Sequence, residues 1–269
     1  MGHKVNATSF RIKKNWDSSY FLNNSLKLKN YIFEDISIRK YIERICIHQD
    51  KIILNFKTFR DNKTLVVFLK VFYWKNYRNK FLRTKKKNKL AIYYNLSKLS
   101  NLAKHIKFNL QKFLNNFDVL VYINQAKTQK KFYKPLILKK LETFKYNTFF
   151  RKSVNFIRSS FETKSSKLLG ISIARSLERT PKHVKFLSFL KKLLSVFINF
   201  FQYNRGSTSV KGYRIEINGK FNGKGRAKKK VIAKGPMPLS TIDANVVYSF
   251  SEAFTKYGTF GVKVWFYIA

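Results

Sequence analysis

After Gly2 the chain runs to Gly170 without a glycine, and eight of its ten glycines lie between Gly206 and Gly261. Glycine is the residue that enters left-handed backbone without steric cost, so the two stretches must turn by different chemistry. A boundary near residue 205 follows, with helices and polar turns before it and short strands with tight turns after it. The chain has 269 residues, more than a typical domain of roughly 100 to 150 requires. Hydrophobic residues make up 45%, including 27 Phe and 15 Tyr, which supplies material for more than one core and excludes disorder throughout.

Periodicity orders the first stretch. From Tyr31 to Cys46, Ile32, Ile36, Ile38, Ile42 and Ile45 fall mostly at helical spacing. KIILNFKTF and TLVVFLKVFYW then read as two strands joined by a turn at residues 60–63. Between Leu90 and Leu114, apolar residues recur every three or four positions, through Leu96, Leu99, Ala103, Ile106, Leu110 and Phe113, as an amphipathic helix requires. DVLVYIN follows as a short strand. Residues 125–165 mix basic and aromatic residues without a sustained period and read as a basic, partly helical insertion.

Two helices are predicted over Ser166–Arg179 and Pro181–Gln202, with Thr180 as the N-cap of the second. Phe186, Leu190, Leu193, Phe197 and Phe200 form a stripe on that helix, opposite Lys185, Ser188, Lys192, Ser195 and Asn199. Strands follow in GYRIEINGKFNG, RAKKKVIAKG, residues 246–254 and GVKVWFYIA. In the last of these, Val262, Val264, Phe266 and Ile268 should face the helices and Lys263, Trp265 and Tyr267 should face away. The predicted fold class is α+β, ending in an antiparallel sheet packed against two helices. The predicted divisions are an arm over 1–30, a domain over 31–124, the insertion over 125–165 and a C-terminal domain over 166–269.

Charge points to the partner. Fifty-six Lys and Arg stand against 13 Asp and Glu, a formal net charge of +43, and a compact body of that charge repels itself unless a polyanion neutralises it. Phosphate-rich nucleic acid is the expected ligand. The acids are dispersed, and no HExxH, GxSxG or GKS/GKT phosphate loop occurs. Gly219, Gly223 and Gly225 lie between predicted strands and read as a hairpin turn. Cys46 reads as a small buried hydrophobe. His3, His48, His105 and His183 lack metal-ligand spacing, so neither metal nor cofactor is expected. FLSFLKKLLSVFINFF is interrupted by Lys191 and Lys192 and is too short for a membrane span. The opening MGHKVNATSF has neither a secretory nor a transit character. With 43 Lys to 13 Arg and 23 Asn, the composition favours residues with A/T-rich codons, which suits an organellar genome and a mitochondrial home. The competing class is an organellar intron-encoded maturase or endonuclease. That class needs clustered carboxylates for metal-dependent phosphoryl chemistry, whereas Asp243 and Glu252 are the only acids in the last fifty residues.

GYRIEINGKFNG and GPMPLSTIDANVVYSFSEAFTKYGTFGVKVWFYI resemble the C-terminal domain of the ribosomal small-subunit protein S-three family. MGHKVNATSFRI with Trp16, Ser18 and Phe21 is similar to that family's opening, and SIARSLER with FLSFLKK to its paired helices. The resemblance implies a KH-like N-terminal domain, degenerate here because the Gly-x-x-Gly turn that clamps RNA backbone is replaced by WKNYRNKFLRTKKKNK. It also implies a place in the subunit head, with small-subunit rRNA, mRNA and proteins S-ten and S-fourteen as partners. In the family, two arginines after a phenylalanine are associated with messenger unwinding. If Phe186 matches that phenylalanine, Leu187 and Ser188 stand in their places and only Lys191 and Lys192 match.

On the resemblance and on charge together, the rRNA-facing residues are expected in three groups. The opening contributes Gly2, His3, Lys4, Asn6, Arg11, Lys13, Lys14 and Trp16. The helices and their exit contribute Arg175, Arg179, Lys182, Lys185 and Arg205. The sheet contributes Lys211, Lys220, Asn222, Lys224, Arg226, Lys228, Lys229, Lys230 and Lys234. Messenger is expected to meet Arg83, Lys85, Lys86, Lys87, Lys191 and Lys192, with residues 83–89 as a mobile basic loop.

Overall fold

The computed structural model describes residues 5–14, 17–21, 25–49, 51–61, 63–73, 85–114, 117–126, 150–203, 210–223 and 225–268. They fall into two units, Asn15–Ala126 and Met1–Lys14 with Lys127–Ala269. The architecture is α+β, with five helices and two four-stranded sheets among the described residues.

In the first unit the elements are β1 (Ser18–Tyr20), α1 (Leu28–His48), β2 (Lys51–Arg60), β3 (Thr64–Tyr73), α2 (Lys85–Phe113) and β4 (Asp118–Gln125). The sheet order is β1-β2-β3-β4, with β2 and β3 antiparallel and both outer pairs parallel. The helix, strand, strand, helix, strand order read from periodicity is present, and β1 is an additional edge strand within the stretch expected to be an arm. One helix begins earlier than its apolar repeat suggests, so Lys85, Lys86 and Lys87 open α2 and do not lie in a loop. Both helices press on one sheet face. Ile38, Ile42 and Cys46 of α1 and Leu102, Ile106 and Leu110 of α2 share a core with Leu65, Val67, Leu69, Val71 and Val119. Cys46 is buried in this core, as its apolar setting predicts.

The second unit contains α3 (Phe150–Glu162), α4 (Ser166–Arg179), α5 (His183–Tyr203), β5 (Val210–Gly219), β6 (Lys228–Lys234), β7 (Val246–Thr255) and β8 (Gly258–Ile268). The sheet is wholly antiparallel in the order β6-β5-β8-β7. Alternation in β8 is as predicted, with Val262, Val264, Phe266 and Ile268 buried and Lys263, Trp265 and Tyr267 half-buried on the other face. Phe186, Leu190, Leu193 and Phe197 of α5 are fully buried in the same core.

Three helices, not two, contribute to that core. Phe161 of α3 lies 5.2 Å from the Phe266 ring and 5.9 Å from the Phe197 ring. α4 approaches β7 closely because small residues meet. A Cβ on Gly170 would stand 2.7 Å from Ser251 Oγ, and Ser249, Ser251 and Ala253 alternate along the strand beneath it. Ser165 caps α4, its hydroxyl accepting from the Leu168 N–H. Thr180 ends α4 instead of starting α5. Both its N–H and its hydroxyl donate to the Ser176 carbonyl, so the predicted N-cap role is incorrect.

Candidate nucleic-acid interface

Two contacts fix β6 beside α5. At one end, the His183 N–H donates to Asn222 Oδ1 at 2.9 Å and the Asn222 N–H donates to His183 Nδ1 at 3.2 Å. This satisfies an amide at the start of α5, where a helix leaves its first N–H groups without internal partners. Asn222 adopts the left-handed conformation (φ 55°) that turns the chain between β5 and β6. At the other end, Lys234 Nζ donates to Asn199 Oδ1 at 2.6 Å. The β5–β6 hairpin therefore runs alongside α5 from its first turn to near its last.

Lysines line this edge. Lys185, Lys191 and Lys192 are exposed on α5. Lys228, Lys230 and Lys234 pair with Gly219, Ile217 and Tyr213, which places them on the helix-facing side of the sheet, where the edge strand extends beyond the core. Lys220 and Arg226 are exposed in the hairpin connection. Between Glu178 and Asp243 the sequence holds one acid, Glu216, and it lies on the opposite sheet face. There Arg214 bonds Glu216 Oε1 at 2.6 Å and Lys229 bonds Oε2 at 2.9 Å. Burial pushes the Glu216 carboxyl up, but hydrogen bonds from Lys229 and Arg214, with their charges, outweigh it and hold the group below its usual range. Lys229 is thus spent partly on its own fold, and the segments that build the β6–α5 edge contain no other carboxylate to offset its positive charge.

The sheet face around Glu216 is aromatic. Tyr248 and Trp265 sit across the β7–β8 ladder with ring centroids 5.2 Å apart, and Arg214 lies 6.0 Å from the Trp265 ring. Phe250 is 49% exposed opposite Lys263. Cations interleaved with rings are the surface chemistry of RNA-binding faces and of protein interfaces alike.

Other predicted positions have internal duties. Arg11 lies in the 3-10 segment Ser9–Lys14 and is 8% exposed. Its guanidinium donates to the carbonyls of Ala7, Pro238, Leu239, Thr241 and Ala244 at 2.7 to 3.1 Å. It binds the opening of the chain to the β6–β7 connection and is not presented outward. Asn6 Oδ1 accepts from the Thr8 N–H, and Lys13 and Lys14 follow in the same 3-10 segment. Lys182 and Lys211 are exposed, as is Arg179 in the last turn of α4, while Arg175 is half-buried. Gly2, His3, Lys4, Trp16, Arg83, Arg205 and Lys224 lie outside the described residues, as does the position of the missing Gly-x-x-Gly turn before residue 85.

His183 was legible only as a histidine without metal spacing. It is 1% exposed, 4.9 Å from the Phe260 ring, and its Nδ1 accepts a hydrogen bond. Burial lowers its pKa from the ordinary 6.5, with a backbone hydrogen bond at Leu177 opposing. The unfolded chain therefore takes up this proton before the folded one does. Stability from this site is complete above the unfolded value and declines as pH falls below it. We expect thermal unfolding scans to show this acid-side decline, and His183→Asn to flatten it; an unchanged slope in the variant would refute the assignment.

Comparison with known proteins agrees with these features. Residues 173–266 match the family model described as ribosomal protein S3, C-terminal domain. The chain is 28% identical to small ribosomal subunit protein uS3 of Phytoplasma mali over 270 residues, covering 99% of this chain and 84% of that one. The Nitrosomonas europaea protein of the same name is 26% identical over 274 residues, covering 98% and 94%. A shorter match to uS3 of Halorhodospira halophila reaches 35% identity over 102 residues, 38% of this chain and 40% of that one. A matched C-terminal domain on a three-helix, four-stranded core, with similarity continuing over nearly the whole length, places the chain in the uS3 family of ribosomal proteins.

Proposed function

We propose that the chain is a structural, non-enzymatic constituent of the small ribosomal subunit that holds rRNA along the β6–α5 edge. The observation that carries the rRNA reading is the row of lysines on two elements tied together at both ends, in segments whose sole carboxylate, Glu216, lies on the opposite sheet face. Phosphate contacts of this kind position a protein on RNA without reading sequence. Lys191 and Lys192, exposed on α5, are the residues proposed to meet messenger. The aromatic face around Trp265 is the surface proposed for neighbouring ribosomal proteins, S-ten and S-fourteen by family resemblance. Supporting a KH-like first unit is its α1-β2-β3-α2-β4 order. Its RNA grip would rest on side chains, since no glycine stands between Gly2 and Gly170. Composition favours a mitochondrial home, although the relatives named above are bacterial. No helix among the described residues is long and apolar enough to cross a membrane. The maturase reading gains no support from the relatives.

Two measurements test this reading. Tagged protein in an organelle lysate should sediment with small subunits. Purified protein should bind duplex RNA with a steep salt dependence, and the triple change Lys192→Gln, Lys228→Gln and Lys230→Gln should make the slope of log K against log salt shallower by about 2 to 3, at roughly 0.9 for each phosphate no longer neutralised. An unaltered slope would remove these lysines from the interface.

A further inference from the structure

The first unit has a second sheet face, remote from the helices. α1 and α2 cover one side, while on the other the register sets side chains in three rows across β2, β3 and β4. The first row is Phe59, Val66 and Leu120; the second is Lys57, Phe68 and Tyr122; the third is Asn55, Lys70 and Asn124. Phe59 is 46% exposed, Phe68 40% and Tyr122 50%. Such large rings normally find cover, and a contiguous exposed group of them marks a binding surface. The rings are ordered against one another. Phe68 and Tyr122 are stacked within 14° of parallel at 5.1 Å, and Phe59 meets Phe68 edge-on at 5.6 Å.

An apolar patch alone would suit a protein partner, but this one is graded. Lys57 stands in the ring row, and Lys70 lies in the next row between two amides. Flat rings offer stacking surfaces to bases, amides pair with base edges, and ammonium groups meet phosphate. Two carboxylates, Asp61 just past β2 and Asp118 at the start of β4, lie at the end of this face away from Lys70. The whole chain carries +43, so a polyanion complements it where a basic protein neighbour would not. We propose that this open sheet face binds single-stranded RNA by stacking bases on Phe59, Phe68 and Tyr122. The face is distinct from the β6–α5 edge, and its binding of RNA does not depend on that edge holding rRNA.

The test uses the full chain and a short oligouridylate, with excess duplex RNA present to occupy the basic surfaces. Ultraviolet crosslinking followed by peptide mapping should place uridine on β3 and β4. Phe68→Ala with Tyr122→Ala should weaken oligouridylate binding by about 25-fold, at roughly fivefold or more for each stacking ring removed. Duplex affinity and its salt slope should be unchanged. Phe68→Tyr with Tyr122→Phe, which keeps both rings, should bind as the unaltered chain does. Crosslinks confined to α5 and β6, equal weakening of single-stranded and duplex binding, or unchanged oligouridylate affinity would each overturn the proposal. So would an alanine variant that binds RNA normally yet fails to enter small subunits, because the face would then seat a protein. Should the alanine variant not fold, the crosslink map of the unaltered chain decides.

Discussion

Ending the chain after Gly261 is expected to abolish folding of the C-terminal unit and with it incorporation into small subunits. The deletion removes Val262, Val264 and Phe266, all fully buried, and Ile268 at 9% exposure. Burial of such side chains is worth about 1.5 to 3 kcal/mol each, so the four together approach the whole stability of a domain, about 5 to 15 kcal/mol. Topology makes the loss worse than the sum. β8 lies between β5 and β7, so removing most of it leaves β7 without a strand partner and bares the inner edge of β5. Lys263→Gln, by contrast, changes one half-buried charge on the outer face and should be mild. Circular dichroism and co-sedimentation of the truncated protein measure the effect. Normal levels in intact subunits would show that β8 is dispensable.

Arg60→Met is expected to cost the first unit about 3 to 5 kcal/mol, the usual penalty for breaking a buried ion pair from one side. The Arg60 side chain is fully buried, 2.7 Å from Glu34 Oε2 and 3.9 Å from Asp35 Oδ1. Its guanidinium lies 4.4 Å from the Tyr31 ring and 4.9 Å from that of Phe117. Asp35, 5% exposed, also accepts from the Tyr20 hydroxyl at 2.8 Å and the Thr58 hydroxyl at 3.1 Å. Burial, and then the hydrogen bond to Asp35, push the Tyr20 pKa up to about 12, which keeps this donor protonated. Without the arginine, the Asp35 carboxylate would remain in the core with two hydroxyl donors and no cation. Adding Asp35→Asn should recover part of the loss by removing that charge. Urea unfolding reads both variants, and a loss for Arg60→Met below about 1 kcal/mol would mean the pair behaves like a solvent-exposed one.

Arg60 also shows where sequence reading stops. In the chain it stands at a turn among polar residues, and nothing in its spacing separates it from the other twelve arginines. What buries it is the convergence of α1, β1 and β2, a tertiary fact. Arg11 and Asn222 were equally opaque. Both looked like groups for RNA, and each instead satisfies backbone atoms of its own unit. Where a single local period governs, as in β8 and α5, the expected faces match the observed ones, whereas in α2 Leu99, Ile106 and Leu110 are buried as expected but Phe113 is exposed and Leu102 joins the core instead. α3 escaped because its buried side includes Ser153, Ser159 and Ser160 beside Phe156, Ile157 and Phe161. Ser159 and Ser160 donate to the carbonyls of Asn155 and Phe156 one turn earlier, so polar residues hide in the core and break the apolar stripe. Composition pointed to a polyanion partner, but which lysines stand together depends on the hairpin lying along α5.

The strand order has a consequence for synthesis. Of the four strands in the C-terminal sheet, β8 is translated last yet occupies an inner position. β5 and β6 can pair as a hairpin as soon as they emerge, whereas β7 must wait for the strand that joins it to them. Arg11 waits longer still, since its acceptor Ala244 follows it by 233 residues. During that interval the inner edge of β5 and the apolar faces of α4 and α5 have no native cover, and open strand edges invite pairing with other chains. The nascent protein should therefore be most vulnerable late in its own translation, and slowing the ribosome between the codons for β7 and β8 should raise aggregation more than an equal pause between β5 and β6.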